Sequence, residues 1–293
     1  AEESVDLYLD LDDDEVDGRQ SMSTWRLRLS HRTMCPPAAL APNPLDLYEV
    51  MVNEIHAPAE LAGWHSASYR YNDPQRDDDT WVYAPRQVKA LRSDYRAEDG
   101  YGYHGSVHAH RWRLIESRPM LAPVGLPVAV LSFGGRNGWY PDGPFQLRHL
   151  HVVETTASDP AHHYPRRRLY IDAELWMPVY TVGLDRDGRC TKLVFHAYGS
   201  PAHNPWNPVP TGPINLGGSA IDLLRQRATL LPNIEQRFNQ AIDHPFLRAA
   251  VEGKTPVDAD YEEKNGVRWI AIGHTTDLVE VWPGRLYRSG LPD

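Results

Sequence analysis

Two pairs of histidines, each pair separated by one residue, are candidates for metal ligands. His108 and His110 stand two apart in GYHGSVHAHRWRLIE, so on a strand both project from one face, and Glu116 has the same parity. Imidazole and carboxylate groups bind Zn²⁺, Fe²⁺ or Mn²⁺. His149 and His151 could complete such a shell from a second strand. One hypothesis is therefore a β-barrel enzyme that depends on a transition metal; the other is that these histidines make ordinary surface hydrogen bonds.

A second candidate is the acidic stretch DPQRDDDTWVYAP at 73–85, where four carboxylates fall within seven residues. Between two strands it would be a turn, because Pro74 fixes φ and Asp side chains accept hydrogen bonds from turn amides. A calcium ion would also offset the repulsion among four like charges. A hairpin turn is the prediction, and a calcium site is the alternative.

Nucleophilic catalysis finds little support in the sequence. No Gly-x-Ser-x-Gly motif occurs, and Cys35 and Cys190 are the two cysteines, which allow one disulfide or two unpaired thiols. We therefore expect a protein that has no catalytic residues and needs no cofactor, with the transition metal above as the alternative.

The elements that must position these residues are short strands. Val-, Thr- and Tyr-rich segments recur at close intervals from residue 47 to 199, separated by turn signals such as DRDGR at 185–189, which predicts a meandering antiparallel sheet. An alternating segment at 4–11 predicts a further strand, paired with TWRLRLSHR. Residues 200–216 form a Pro-rich link. In 217–293, apolar spacing predicts helices at about 221–231 and 234–242, and NGVRWIAIG a late strand packed on the sheet.

The same segments resemble a known family. The motifs DPQRDDDTWVYAP, GYGYHGSVHAHRWRLI, HLHVVETT and YPRRRLYIDAELWMPVYTVGLDRDG together are similar to a bacterial family of exported proteins, described as outer-membrane lipoprotein-sorting-like and otherwise of unknown function. The similarity covers about residues 47–199, the core of a sheet domain at 1–199. It implies the fold of the lipoprotein carriers LolA and LolB, which is a mainly β, curved antiparallel half-barrel closed by helices over an apolar cavity.

Such a cavity requires apolar or aromatic side chains at alternate strand positions. The candidates for its lining are Tyr69, Tyr71, Trp112, Leu114, Tyr180, Val182, Leu184, Leu193 and Phe195. The alternative for each of them is an ordinary core position.

Composition limits the partners. A net charge of −9 argues against nucleic acid as a partner, and no apolar segment is long enough to cross a bilayer as a helix.

The start AEESVD suits a product of signal-peptide cleavage, so we expect a periplasmic protein. The predicted function is non-enzymatic binding or carriage of a lipophilic molecule, a lipid or a lipid-modified partner. The remaining alternative is an accessory subunit that docks on a membrane-associated or multi-subunit complex.

Overall fold

The computed structural model describes residues 2–12, 15–30, 42–73, 75–76, 79–83, 90–92, 102–103, 107–127, 131–158, 162, 164–200, 214–237, 242, 244–255, 269–274 and 279–281. Its strands are β1 (Glu2–Asp12), β2 (Glu15–Arg28), β3 (Leu47–Ala57), β4 (His65–Tyr71), β5 (Asp79–Tyr83), β6 (Ala90–Arg92), β7 (His110–Ala122), β8 (Val124–Leu126), β9 (Ser132–Gly134), β10 (Tyr140–Asp142), β11 (Gln146–Ala157), β12 (Arg166–Asp172), β13 (Pro178–Leu184), β14 (Cys190–Gly199), β15 (Ile214–Asp222), β16 (Arg227–Arg237), β17 (Trp269–His274) and β18 (Val279–Val281). The helix α1 spans Pro245–Val251.

The chain forms two compact units. Unit 1 contains residues 1–5, 20–96 and 237–293, and unit 2 contains residues 6–19 and 97–236. The hydrogen-bonded order of strands is β17-β5-β4-β3 in unit 1 and β16-β15-β14-β13-β12-β11-β7 in unit 2, and β1 and β2 each have residues in both units. The pair of β8 with β14 is parallel, whereas the other pairs with a described register are antiparallel.

Unit 1 has its core on one face of the sheet. Successive residues of β4 alternate between buried and half-buried, as expected for a strand with one face against a core. The buried side of this sheet includes Val50, Val52, Ala67 and Tyr69, and α1 covers it with Phe246, Leu247 and Ala250. Pro245 opens the helix at a position where its missing N–H costs nothing.

Unit 2 is built from consecutive hairpins. The strand β13 alternates like β4, and β11 to β16 pair in sequence order. In the turn at 185–189, Gly188 adopts φ 82° and the Asp185 side chain accepts a hydrogen bond from the Arg189 amide, which confirms the predicted reversal. A small hairpin of β9 and β10 forms around Asn137 at φ 60°.

The predicted helices at about 221–231 and 234–242 are wrong where the structure describes these residues. Residues 214–222 and 227–237 are the paired strands β15 and β16. The Asp222 carboxylate accepts hydrogen bonds from the Leu224 and Arg225 amides, and this side-chain cap turns the chain after β15. Leu224 is 76% exposed, so the helical spacing does not mark a buried face. Phe238 lies outside the described residues.

The prediction of a mainly β fold with antiparallel sheets and helical structure near the C-terminus is confirmed, with α1 as the helix that the structure describes there. β1 and β2 are hydrogen-bonded neighbours, and β17 coincides with the predicted late strand. Residues 201–213 of the Pro-rich link and Cys35 lie outside the described residues, and Cys190 is an exposed thiol. Within the described part of the chain, no helix combines the length and apolar character needed to cross a membrane.

Candidate functional site

A row of four aromatic rings crosses one face of the sheet in unit 2. Tyr170 of β12 lies opposite Tyr180 of β13, which lies opposite Phe195 of β14. Their ring centroids are 6.0 Å and 5.4 Å apart, and Tyr140 of β10 continues the row 5.5 Å from Phe195. The interplanar angles of 77°, 84° and 86° are edge-to-face contacts. We call Tyr140, Tyr170, Tyr180 and Phe195 the aromatic row.

Every ring of the aromatic row is half-buried. Val182 and Leu193 are opposite each other on the same face. Each lies two residues along its strand from Tyr180 or Phe195, and both are half-buried. A sheet face that is packed shut would bury these side chains fully. The aromatic row and its aliphatic neighbours therefore form an apolar surface that is partly open to solvent.

Two polar atoms are buried beside the aromatic row. Ser219 of β15 lies opposite Phe195, and Trp139 shares a hydrophobic cluster with Ile221 and Leu230, against which Phe195 packs. These side chains are 1% and 6% exposed, yet Ser219 Oγ and Trp139 Nε1 have no hydrogen-bond partner among the described residues. Buried donors without partners cost free energy, so both groups would gain from an acceptor.

The hydroxyl group of Tyr180 is held in place. It donates a 2.6 Å hydrogen bond to the Leu121 carbonyl oxygen, and burial raises the pKa of Tyr180 to about 12. At neutral pH the phenol is neutral, so the aromatic row carries no charge from this residue.

Ion pairs flank the Tyr170 end of the row. Glu154 of β11 accepts hydrogen bonds from Arg113 (2.8 Å) and Arg168 (3.1 Å). Burial alone would raise the pKa of Glu154, but the two guanidinium groups outweigh it and lower that pKa. Arg113 and Arg168 are 72% and 43% exposed at the side chain, so both cations are open to solvent beside the apolar face.

The structure separates the nine predicted lining residues into three groups. Tyr180, Val182, Leu184, Leu193 and Phe195 share the face of the aromatic row, and of these Leu184 is buried. Tyr69 and Tyr71 belong to the core of unit 1, where the Tyr69 hydroxyl donates to the Lys254 and Phe246 carbonyl oxygens under α1. Tyr140 and Tyr170 were not among the candidates, because strand parity does not reveal which strands are neighbours.

Trp112 and Leu114 lie on β7, which ends the described strand order of unit 2. They are opposite Thr155 and Val153 of β11, and this parity places them on the other face from the aromatic row. Their exposures of 41% and 61% mark a surface position rather than the same lining.

The structure does not bring the five predicted metal ligands together. His110 is at one end of β7 opposite Ala157, about 20 Å along β11 from His151 at the usual rise per residue. It is buried, and Arg167 donates to it over 2.8 Å. His108 is exposed in a 3-10 turn before β7.

The remaining predicted ligands also diverge. The rings of His149 and His151 are 6.1 Å apart, and His151 Nδ1 is 2.7 Å from the Ser117 hydroxyl. Glu116 is opposite Val152, so it projects from the face of the sheet opposite to that of His149 and His151. There it pairs with Arg118 at 3.4 Å.

A different cluster does converge, and sequence reasoning missed it. Glu54 of β3 lies directly opposite His65 of β4, and His244, which precedes α1, brings a second imidazole to the same place. One ligand atom from each of the three lies within 4.8 Å of the others. This is the cluster of that kind found among the described residues, and spacing in the sequence could not reveal it because three separate elements contribute.

The acidic stretch at 73–85 begins the connection between β4 and β5, as predicted. The two strands pair antiparallel, and the Asp73 carboxylate accepts a hydrogen bond from the Gln75 amide. Arg76 lies over the ring of Tyr71 and pairs with Asp79 at 3.3 Å. Asp77 and Asp78 lie outside the described residues, so the calcium alternative stays a prediction.

Known proteins share this fold. The profile of one protein family, "Protein of unknown function (DUF1329)", matches residues 13–246. Among solved structures, a DUF1329 family protein from Desulfovibrio piger is similar at 12% identity with a TM-score of 0.56, over 84% of this chain and 88% of that one. No curated protein matches the chain.

Two further structures are similar at 11% identity. A domain from Vibrio parahaemolyticus named for outer membrane lipoprotein sorting has a TM-score of 0.50, over 82% of this chain and 87% of that one. A LolA superfamily protein from Nitrosomonas europaea has a TM-score of 0.47, over 83% and 88%. The family profile confirms the family that the motifs in 47–199 resemble, and it extends beyond those motifs in both directions. The chain belongs to the DUF1329 family.

Proposed function

We propose that this protein is a non-enzymatic carrier that binds a lipophilic molecule on the aromatic row of unit 2. The observation that supports the proposal is the half-buried state of four contacting rings on one face of the sheet. Apolar side chains that are concentrated and left partly open gain free energy when a ligand removes them from water, at about 25 cal/mol per Å². The fold shared with the domain named for lipoprotein sorting is consistent with this role.

The polar groups around the aromatic row favour an amphiphile over a plain hydrocarbon. Ser219 Oγ and Trp139 Nε1 are buried donors that an ester or carbonyl oxygen of the ligand would satisfy. At the Tyr170 end, two guanidinium groups share one carboxylate, Glu154, which leaves a net positive charge near the surface. An acyl chain on the rings and an anionic headgroup near Arg168 would use both features, and a periplasmic location would suit such a cargo.

The direct test is a titration with a fluorescent long-chain fatty acid. Phe195→Ala removes the ring that contacts both Tyr180 and Tyr140. We expect this change to weaken binding by about tenfold, because the buried apolar area of one phenyl ring is worth at least 1.4 kcal/mol.

Trp176→Ala is the matched control. Trp176 is also aromatic and apolar, but it is 72% exposed in the turn after β12 and is not part of the aromatic row. Its removal should leave the affinity unchanged. Loss of binding in Trp176→Ala with full binding in folded Phe195→Ala would place the ligand elsewhere, and no saturable binding by the unchanged protein would refute the carrier function.

A further inference from the structure

A buried cluster in unit 1 has the composition of a metal site and plays no part in the proposed carrier function. Glu54 and His65 are a directly opposed pair on β3 and β4, and His244 stands at the start of α1. His65 and His244 are 7% and 9% exposed. The Trp25 and Phe246 rings lie 4.7 Å and 5.1 Å from the His244 ring, so aromatic side chains flank this histidine, whereas Glu54 is half-buried.

The orientation of His65 is fixed by its backbone. Its Nδ1 lies 2.9 Å from the Gly63 carbonyl oxygen, which can only accept, so Nδ1 carries the hydrogen. Nε2 faces Glu54 Oε2, 3.2 Å away. In metal sites, the ligating imidazole commonly donates its other N–H to a backbone carbonyl, and this hydrogen bond fixes the orientation of the ring.

An imidazole nitrogen and a carboxylate oxygen in contact share either a proton or a metal ion. A divalent cation satisfies both groups at once, because neutral imidazole and carboxylate are the forms that bind it.

His244 supplies the third ligand. The Phe246 amide donates to its Nδ1 over 3.3 Å, which is longer than a strong hydrogen bond. Nδ1 therefore carries a lone pair, and an ion bound there would replace this contact at the start of α1.

We propose that Glu54, His65 and His244 form a binding site for a divalent transition metal of the Zn²⁺ class. Two imidazoles and one carboxylate are a ligand set of zinc proteins, and they leave coordination positions for water or a further group. The ion would tie β3 and β4 to the start of α1.

Isothermal titration of the full chain with Zn²⁺ tests the site. We expect about one ion per chain, and Glu54→Gln and His65→Ala should each weaken binding by more than about tenfold. Co²⁺ provides a second readout, since ligation by imidazole nitrogen produces a visible absorption band that both variants should lose.

The matched control is His149→Ala/His151→Ala, which removes the adjacent pair of histidines in unit 2. Zn²⁺ binding should be unaffected by this change. Binding that survives in Glu54→Gln and His65→Ala, or that disappears in the control, would overturn the proposal. If His65→Ala does not fold, two measurements still test the site. They are Zn²⁺ binding by Glu54→Gln, which keeps the side-chain size, and the Co²⁺ spectrum of the unchanged chain. Absence of stoichiometric binding would leave Glu54 and His65 as an ordinary ion pair.

Discussion

At the scale of single residues, Asp172 is a charge that the fold buries and surrounds with donors. Its side chain is 1% exposed, and Arg148 binds both carboxylate oxygens at 2.7 Å and 3.0 Å. The amides of Glu174 and Leu175 donate to the same carboxylate at 2.9 Å. Burial alone would raise the pKa of Asp172, but these four donors outweigh it and lower that pKa.

Asp172→Asn should lower the free energy of unfolding by about 3 kcal/mol at pH 7, because it removes the buried carboxylate that Arg148 binds through both oxygens and leaves Arg148 only the exposed Glu174 as a charged partner. The folded-state pKa of Asp172 lies below the unfolded value of about 3.9, so its contribution is present above that pH and is lost as the pH falls through the folded-state pKa. Urea unfolding from pH 7 to pH 3 measures both effects, and the difference between the two proteins should shrink below about pH 4.

Asp187→Asn provides the comparison for that measurement. Asp187 pairs with Arg189 at 3.2 Å, but the two side chains are 68% and 78% exposed. Its removal should cost less than about 1 kcal/mol. Equal losses in the two variants would contradict the role assigned to the buried pair.

Residue types alone predicted only part of the candidate site. The parity of Tyr180, Val182, Leu193 and Phe195 along their strands indicates a shared face, and the register confirms it. Partners that depend on pairing between distant strands, such as Glu54 with His65, cannot be read from spacing within one segment. The predicted metal set failed to assemble for the same reason, since β7 and β11 pair in a register that separates His110 from His151.

At the scale of elements, the strands were predictable and the β15–β16 hairpin was not. Apolar residues at 221, 224, 228 and 231 fit a helix by spacing, but the Asp222 side chain caps a turn within that run. Gly217 and Gly218 precede that turn on β15, at φ 117° and 158°, where β15 pairs with β14 on one side and with β16 on the other. Apolar spacing contains no information on these polar and glycine positions, which set the turn and the strand.

Gly218→Ala should destabilise unit 2 by at least about 2 kcal/mol. A Cβ at this position would overlap the carbonyl oxygen of Phe195, which is backbone and cannot move without disturbing the ladder between β14 and β15. Thermal unfolding followed by circular dichroism measures the change. Because Phe195 belongs to the aromatic row, binding of the fluorescent fatty acid should weaken as well.

Gly18→Ala is the matched substitution for this test. Gly18 also lies in a strand, but an added Cβ would meet no atom within 4 Å. Its melting temperature should equal that of the unchanged protein or rise slightly, because alanine loses less backbone entropy than glycine on folding. Similar melting temperatures for Gly18→Ala and Gly218→Ala would show that the close approach at Gly218 is not as tight as the geometry indicates.

At the scale of the whole molecule, the chain combines an apolar, half-buried face in unit 2 with a buried polar cluster in unit 1. The family profile over residues 13–246 and the solved structures establish the fold, while the proposed function depends on the aromatic row itself. One fold supports many functions, so the proposed carrier function must be tested by identifying the molecule that the protein carries.

The most direct measurement is native mass spectrometry of the full chain purified from its own source, with lipid extraction from the same sample. The carrier function predicts a bound mass of lipid size on the unchanged protein, strongly reduced in Phe195→Ala and retained in Trp176→Ala. A protein that carries no such mass, or one that carries it equally in all three forms, would contradict the assignment of the aromatic row as the binding site.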